Sequence, residues 1–277
     1  MSHITDYNEV CTTYDERRRA SGAYVLKSMM ENFTGKKIQD MDILDAGCGT
    51  GNYARYFLDH HPRSLSLFDA SEGMLRVAKE KLQSTQKTAL CFKMGVLPAV
   101  PFDDNSFDVV MMNMVLHHLD TSDGESYPNM AKALKEVYRV LKPGGVLAVT
   151  TCTPEQTEAH WFAHLVPDQM KRYTKKIPRH KQIKAMLTEA GLTLKAAFNT
   201  LTTDYHPGHH DLEGPLRESW RNDISFWASC TETEIQDMVQ RVTKMKEEGT
   251  LQDFHDTHEK IEVFGAMQIF AAQKVSL

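Results

Sequence analysis

Long apolar runs are missing from this 277-residue chain. None approaches the roughly 20 apolar residues that a membrane-spanning helix requires, so no membrane association is expected. The opening residues, Met-Ser-His-Ile-Thr-Asp-Tyr, lack the basic-then-apolar order of a secretion signal, and a cytoplasmic protein is the expectation. Cysteine is sparse. Cys11, Cys48, Cys91, Cys152 and Cys230 are scattered, odd in number and never spaced C-x-x-C, which argues against a disulfide framework and a zinc knuckle. Positive charge is not in excess either: 32 Lys and Arg stand against 37 Asp and Glu, for a net charge of −5. Neutralising phosphates needs clustered cations, so nucleic acid is not an expected partner. There is no internal repeat and no low-complexity tract.

What is present is an alternation of short apolar runs with amphipathic stretches. Helical spacing runs from about Tyr14 to Phe33, with Tyr24, Met29 and Phe33 able to share one side. Ile43 to Ala46 is a compact apolar run, then a Gly-rich turn, then a helix carrying Tyr53, Ala54, Phe57 and Leu58. Leu65 to Phe68 predicts a second strand; Met74, Leu75, Ala78 and Leu82 form the stripe of a helix capped by Ser71. Leu90 to Met94 and Asp108 to Met112 are further strands, the latter with the unbroken apolarity of a strand buried on both faces. A stripe of Met130, Leu134, Val137 and Leu141 stops at Lys142-Pro143-Gly144-Gly145, and Val146 to Val149 is a fifth strand. The rhythm predicts a parallel sheet with helices on both faces. Beyond Thr151 it changes. A helix is expected over Lys181 to Ala190, a strand over Leu192 to Phe198, a capped helix after Thr231 and Glu234, and a last strand over Val263 to Ala272.

The chemistry concentrates at Asp45-Ala46-Gly47-Cys48-Gly49-Thr50-Gly51, between a strand and a helix. Glycines there let a ligand approach the backbone, and the following helix aims free N–H groups at it. Asp69 ends the second strand, where a carboxylate can accept both hydroxyls of a ribose. A dinucleotide-binding turn would carry Gly or Ala at position 52, which is Asn52. A carboxylate at Asp45 repels a pyrophosphate and suits a cation. S-adenosylmethionine, with a sulfonium, an ammonium and a free ribose, fits that charge better than a nicotinamide dinucleotide.

The stretches ILDAGCGTGNYARYF, LSLFDASEGMLRVAKEKL, LPAVPFDDNSFDVVMMNMVLHHL and VYRVLKPGGVLAVTT resemble the class I S-adenosylmethionine-dependent methyltransferases, and most of all their small-molecule branch. The resemblance covers about Asp42 to Thr151 and continues more weakly toward the C-terminal end. It implies an α/β, Rossmann-like seven-stranded sheet, mostly parallel with the last strand antiparallel, under a helical cap. It implies S-adenosyl-L-methionine as donor, with Asp45, Gly47, Gly49 and Gly51 around its methionine part and Asp69 on its ribose. An N-terminal Tyr-Asp…Arg arrangement resembling Tyr14-Asp15-Glu16-Arg17-Arg18 folds over the donor in related enzymes, which nominates Tyr14 and Arg18. The chain departs from the family pattern at Met94-Gly95-Val96, where an acid often receives the adenine amino group; backbone amides near Leu97 and a sandwich of Met74 and Leu97 are left to hold the ring.

The expected organisation is a single domain, 1–277, with N-terminal lid helices in 1–40, a donor-binding core in 41–151 and an acceptor cap with closing strands in 152–277. Asn113 follows the fourth strand, where it can meet the donor's ammonium or the acceptor. His117 and His118 are the candidate bases, against the alternative of hydrogen-bonded histidines at a helix start. Trp161, Trp220 and Trp227, with Arg217 and Arg221 at i, i+4 spacing, are the candidate acceptor residues, against the alternative that the aromatics are the core of the cap. His206, His209 and His210 share one loop, and no metal is expected there. Lys171, Arg172, Lys175, Lys176, Arg179, Lys181 and Lys184 form a basic stretch, read as a solvated face. The expected function is methyl transfer to nitrogen or oxygen of a small molecule. A methyltransferase of RNA or protein and a non-catalytic donor-binding protein are the alternatives, and the oligomeric state stays open.

Overall fold

The computed structural model describes residue 15 and residues 19–82, 88–120, 126–201, 207–222 and 224–275. Helix α1 (Ala23–Thr34) leads into β1 (Asp42–Ala46), α2 (Asn52–Leu58), β2 (Ser64–Asp69), α3 (Glu72–Leu82) and β3 (Ala89–Met94). Then come β4 (Phe107–Asn113), α4 (Pro128–Val140), β5 (Leu141–Thr151), α5 (Pro154–Glu158), α6 (Pro167–Lys175), α7 (His180–Glu189) and β6 (Leu192–Thr200). The chain continues through α8 (Glu218–Arg221), α9 (Glu232–Glu247), α10 (Leu251–His258) and α11 (Ile261–Phe264) to β7 (Met267–Lys274).

The seven strands form one sheet in the order β3-β2-β1-β4-β5-β7-β6. β7 runs antiparallel between β5 and β6, and the other observed pairings are parallel. Strand alternation sorts the core into two layers. Ile43, Leu65, Leu67, Val109, Met111, Val146, Ala148, Ile269 and Ala271 face α1, α2 and α3. Leu44, Phe68, Val110, Met112, Leu147, Val149, Phe270 and Ala272 face α4 and α7. Every residue of β4 is buried, as expected of a strand covered on both sides. At the amino ends of the strands an ion cluster ties three of them together. Asp108, 3% exposed, takes Lys36 Nζ at 2.5 Å, Lys142 Nζ at 2.9 Å and the Asp42 amide at 2.8 Å. Burial pushes its carboxyl up, but these partners hold it below the usual carboxylate range.

Three expectations shift. The helix expected from Tyr14 to Phe33 is interrupted among the described residues: Asp15 is helical, the chain turns at Ser21-Gly22 with Gly22 at φ 72°, and α1 begins at Ala23. Tyr24 then falls on the solvent side, while Leu26 and Met30 are buried. Packed on β5 and β7, α1 is a layer of the core and not part of the lid expected in 1–40; most residues of that span before it lie outside the described residues. The fifth strand begins at Leu141 instead of Val146, with Lys142-Pro143-Gly144-Gly145 taken into a register shift opposite Phe107–Val109. The last strand begins at Met267, because Val263 and Phe264 lie in a helical turn closed by the Gly265 amide on Ile261 O at 2.7 Å.

The cap is built from the inserts after β5 and β6. Its own core gathers Trp161, Phe162, Tyr173, Trp220, Phe226, Trp227, Met238 and Val242. The Thr231–Glu234 capping box starts α9 as expected, and a second box, Thr153 with Gln156, starts α5.

Candidate functional site

Side chains along the edge made by the carboxyl ends of the other strands and the amino end of β7, on the face covered by α1–α3, fall in one row. It runs Met94 (β3), Asp69 (β2), Asp45 (β1), Asn113 (β4), Thr150 (β5), Ile269 (β7) and Phe198 (β6). Register pairs Asp69 with Met94, Asn113 with Thr150, Thr150 with Ile269, and Ile269 with Phe198. Asp45 stands opposite Leu67 and Met111, one side-chain step deeper than Asp69 and Asn113. Across the sheet the chemistry grades from carboxylate through amide and hydroxyl to hydrocarbon.

The glycine turn sits over the acid end. Gly47 and Cys48 donate their amides to Phe68 O at 2.7 and 3.1 Å, which binds the turn to β2. Gly47 leaves room for Val115: a Cβ there would fall 2.4 Å from Val115 Cγ2. Gly49 faces open space, with nothing within 4 Å of the position a Cβ would take. Its amide donates to Asp69 Oδ2 at 2.8 Å, and the Ser71 amide to Asp69 Oδ1 at 2.9 Å. Asp69 therefore shapes the turn as well as facing it. The Ala70 backbone also donates to this carboxylate, which leaves it one further lone pair for a ligand.

Asp45 is the electrostatic oddity. It is 2% exposed, takes one hydrogen bond from the backbone of Ala54, and its Oδ2 has no partner among the described residues. Burial, and then the neighbouring charge of Asp69, raise its carboxyl to about 7; burial also pushes Asp69 up. Two carboxylates that disfavour each other's ionisation, beside open space at a helix N-terminus, make a site that a cation would relieve. The donor set fits S-adenosylmethionine: a carboxylate for its positive charges, another for ribose hydroxyls, and a gap at Gly49 for its bulk.

Asn113, 8% exposed, has no partner for either end of its amide among the described residues. His117 and His118 lie just beyond it in a short 3-10 turn, with ring centroids 4.0 Å apart and His117 buried. Met74 is buried at the start of α3 below its Ser71 cap, and Val96 is 43% exposed beyond β3 with Leu97 partly buried beside it. The structure thus brings Asp45, Gly47, Gly49, Gly51, Asp69, Asn113, His117 and His118 to one sheet edge. Tyr14, Arg18 and His206 lie outside the described residues.

Of the five expected acceptor residues, the structure gathers the three tryptophans in the core of the cap and pairs the two arginines elsewhere. Trp161, Trp220 and Trp227 are 0%, 4% and 4% exposed in the cap core, with Trp161 Nε1 donating to His209 O at 2.9 Å. Each ring meets Phe162, and Trp220 also meets Trp227, so the arrangement is that of a packed core. Arg217 pairs with Asp211, and Arg221 donates to Pro215 O at 2.6 Å. In the basic stretch, Arg172 is matched by Glu234 and Arg179 by Glu155. Among the described residues no group of three or more His, Cys, Asp or Glu is placed to hold a metal, and no helix is long and apolar enough to cross a membrane.

Sequence reasoning missed three residues. Asp15 receives the hydroxyl of Thr50, inside the glycine turn, and pairs with Lys81 Nζ on α3, which also donates to Asn52 Oδ1. Ser21 is fixed over the sheet edge, where Tyr53 Oη donates to its carbonyl at 2.9 Å. Thr150 ends β5. The signal for Thr150 was its position, a polar residue closing an apolar strand on the same side as Asn113.

A sheet with this strand order and an acid-flanked glycine turn at its carboxyl edge defines a nucleoside-binding α/β enzyme fold. The family described as "Methyltransferase domain" matches residues 44–149. A demethylmenaquinone methyltransferase of Lactococcus lactis is 30% identical over 63% of this chain and 70% of its own length. A malonyl-[acyl-carrier protein] O-methyltransferase of Pectobacterium atrosepticum is 29% identical over 48% of this chain and 50% of its own. Several other curated relatives are matched over about half of their own length. A solved structure from Anabaena variabilis, assigned to a methyltransferase of an antibiotic biosynthesis pathway, superposes with a TM-score of 0.67 over 90% of this chain and 96% of that one. At 14% identity that likeness speaks for the fold alone. The chain belongs to the class I S-adenosylmethionine-dependent methyltransferases. It is an enzyme of that family, and its methyl donor is S-adenosylmethionine.

Proposed function

We propose that this enzyme methylates nitrogen or oxygen of a small-molecule acceptor. The observation that carries the reading is the row of strand ends. Its two acids suit a cationic, ribose-bearing donor, and the polar groups beside them, Asn113 and Thr150, are buried, which favours a compact acceptor over a folded macromolecule. The names of the relatives, demethylmenaquinone and malonyl-[acyl-carrier protein] methyltransferases, support an acceptor whose reacting part is small. The pairing of Arg172 and Arg179 with acids weakens the case for RNA, because two cations of the basic stretch are already neutralised.

When bound, the donor supplies an activated methyl group on a sulfonium leaving group. The chain's own residues then have modest tasks. Asp69 holds ribose hydroxyls while keeping the glycine turn in shape. Asp45 balances positive charge, Gly49 leaves room, and Met74, Val96 and Leu97 border the adenine. Asn113 orients the reacting groups, and His117 or His118 takes the acceptor's proton. In-line placement lowers much of the barrier to such a displacement, so a stronger base is unnecessary. The test is incubation with methyl-labelled S-adenosylmethionine and separated small-molecule, RNA and protein fractions. Label in the small-molecule fraction alone is expected; label confined to RNA or protein would overturn the reading.

A further inference from the structure

At the ends of β4 and β5, four hydrogen-bonding atoms are buried with no partner among the described residues: Nδ2 and Oδ1 of Asn113, Oγ1 of Thr150 and Oγ of Ser21. The three residues are 8%, 0% and 6% exposed. Asn113 and Thr150 are register partners, on the face that α1 covers. Two contacts hold Ser21 over the same edge. Tyr53 bonds its carbonyl, and the adjoining Gly22 packs on Ile269, the register partner of Thr150. Burying one unpaired hydroxyl or amide is unfavourable, and most such groups in folded proteins are satisfied. Asn113 and Thr150, neighbours at one sheet edge, and Ser21 on the segment held over it mark a place where a bound group completes the bonds.

The chemistry of that group follows from the residues. An amide and two hydroxyls both donate and accept, and none of them is charged. From Asn113 along the row to Phe198 there is no ionised side chain, so neither an ammonium nor a carboxylate would find its counter-charge there. The acid one strand away, Asp45, faces the donor's positive charge. Among the described residues Trp161, Trp220 and Trp227 form no cage for a cation there, since they are enclosed in the cap core. A hydroxyl can give its proton to one partner and take hydrogen bonds from the others.

Resting on the reading of the enzyme as a small-molecule methyltransferase, we propose that Ser21, Asn113 and Thr150 form an acceptor subsite for an uncharged hydroxyl, and that its oxygen is the methylated atom. A lone pair of that oxygen forms the new bond to carbon. The carbon–sulfur bond breaks with its electron pair passing to sulfur, which becomes a neutral thioether. The hydroxyl proton passes to an imidazole of His117 or His118.

The full chain is incubated with methyl-labelled S-adenosylmethionine and a small-molecule extract of the cells that make it, and the product is identified by mass spectrometry. An O-methyl ether of an uncharged hydroxyl is expected. Thr150→Val keeps the shape and removes the hydroxyl. It should lower kcat/KM for the alcohol that yields this product about tenfold or more, with calorimetric affinity for S-adenosylhomocysteine and Tm at wild-type values, and Thr150→Ser should recover activity to within about threefold. If Thr150→Val melts early, Ser21→Ala carries the same readout. Label on nitrogen or on a carboxylate of a small molecule overturns the hydroxyl subsite and leaves the small-molecule reading standing. Undiminished kcat/KM in both variants does the same. Label confined to RNA or protein, or no label at all, overturns the small-molecule reading and the subsite with it.

Discussion

At the scale of single residues the two acids make separable predictions. Asp69 accepts from the Gly49 and Ser71 amides and faces the donor's ribose in the proposed site. Asp69→Ala should therefore weaken S-adenosylhomocysteine binding by about 2–4 kcal/mol. Calorimetry finding wild-type affinity would remove Asp69 from the site. Asp45 predicts a pH dependence with a definite sign. Its carboxyl is raised to about 7 in the folded protein, whereas an unfolded Asp titrates near about 4. Between those values the folded state holds the extra proton. The stability attached to Asp45 is thus full below about pH 4 and is lost as pH rises toward about 7. The Tm difference between wild type and Asp45→Asn, measured without donor, should move against wild type across that window. A flat difference would mean that Asp45 titrates normally. Donor binding should run the other way and strengthen as Asp45 ionises.

At the scale of elements, the ion cluster and the N-terminal segment carry the next predictions. Asp108 bonds the Asp42 amide of β1 and two lysines from outside β4. Asp108→Asn should cost about 1–3 kcal/mol near neutral pH. Because the folded carboxyl is held low, that contribution is present above about pH 4 and disappears as acid protonates it, so the two proteins should converge in urea melts at low pH. Asp15 links the residues before α1 to Thr50 and Lys81. Asp15→Ala should speed amide hydrogen exchange around residues 19–24 while leaving β1 and β4 protected. Unchanged exchange there would show that this link does not restrain the segment. Elements β1 to β5 are legible in the sequence because a parallel sheet buried on both faces writes continuous apolar runs between glycines and caps. The end of β7 nearer Val263 is not, since apolar residues in a helical turn look the same as those of a strand until Gly265 closes the turn. Ser21 is illegible for a different reason: its place is set by Tyr53 and Ile269, which are distant in the chain. The candidate donor residues are legible because they adjoin one glycine turn, whereas the cap aromatics are spread over three stretches whose mutual packing no local pattern records.

At the scale of the whole molecule, the cap and the sheet are separate cores on one chain, since the aromatic cluster of the cap is distinct from both layers of the sheet. Trp220→Ala should lower stability by about 3–5 kcal/mol through the cavity it leaves, with affinity for S-adenosylhomocysteine unchanged by calorimetry below the melt. A variant with wild-type Tm and a raised KM would return this tryptophan to the acceptor. The order of strands has a consequence for synthesis. β7, residues 267–274, lies between β5 and β6, and Lys274 bonds Tyr138 O, Leu141 O and Asn105 Oδ1. A nascent chain that has reached only residue 266 therefore holds β5 with a bare edge and β6 with no neighbour to pair with. Such an edge is a template for association with other chains, and it stays bare until more than a hundred residues beyond β5 have left the ribosome. β7 enters the sheet one strand in from its edge and only after both of its neighbours are made, so translation stalled short of Met267 should yield aggregates in place of a smaller enzyme.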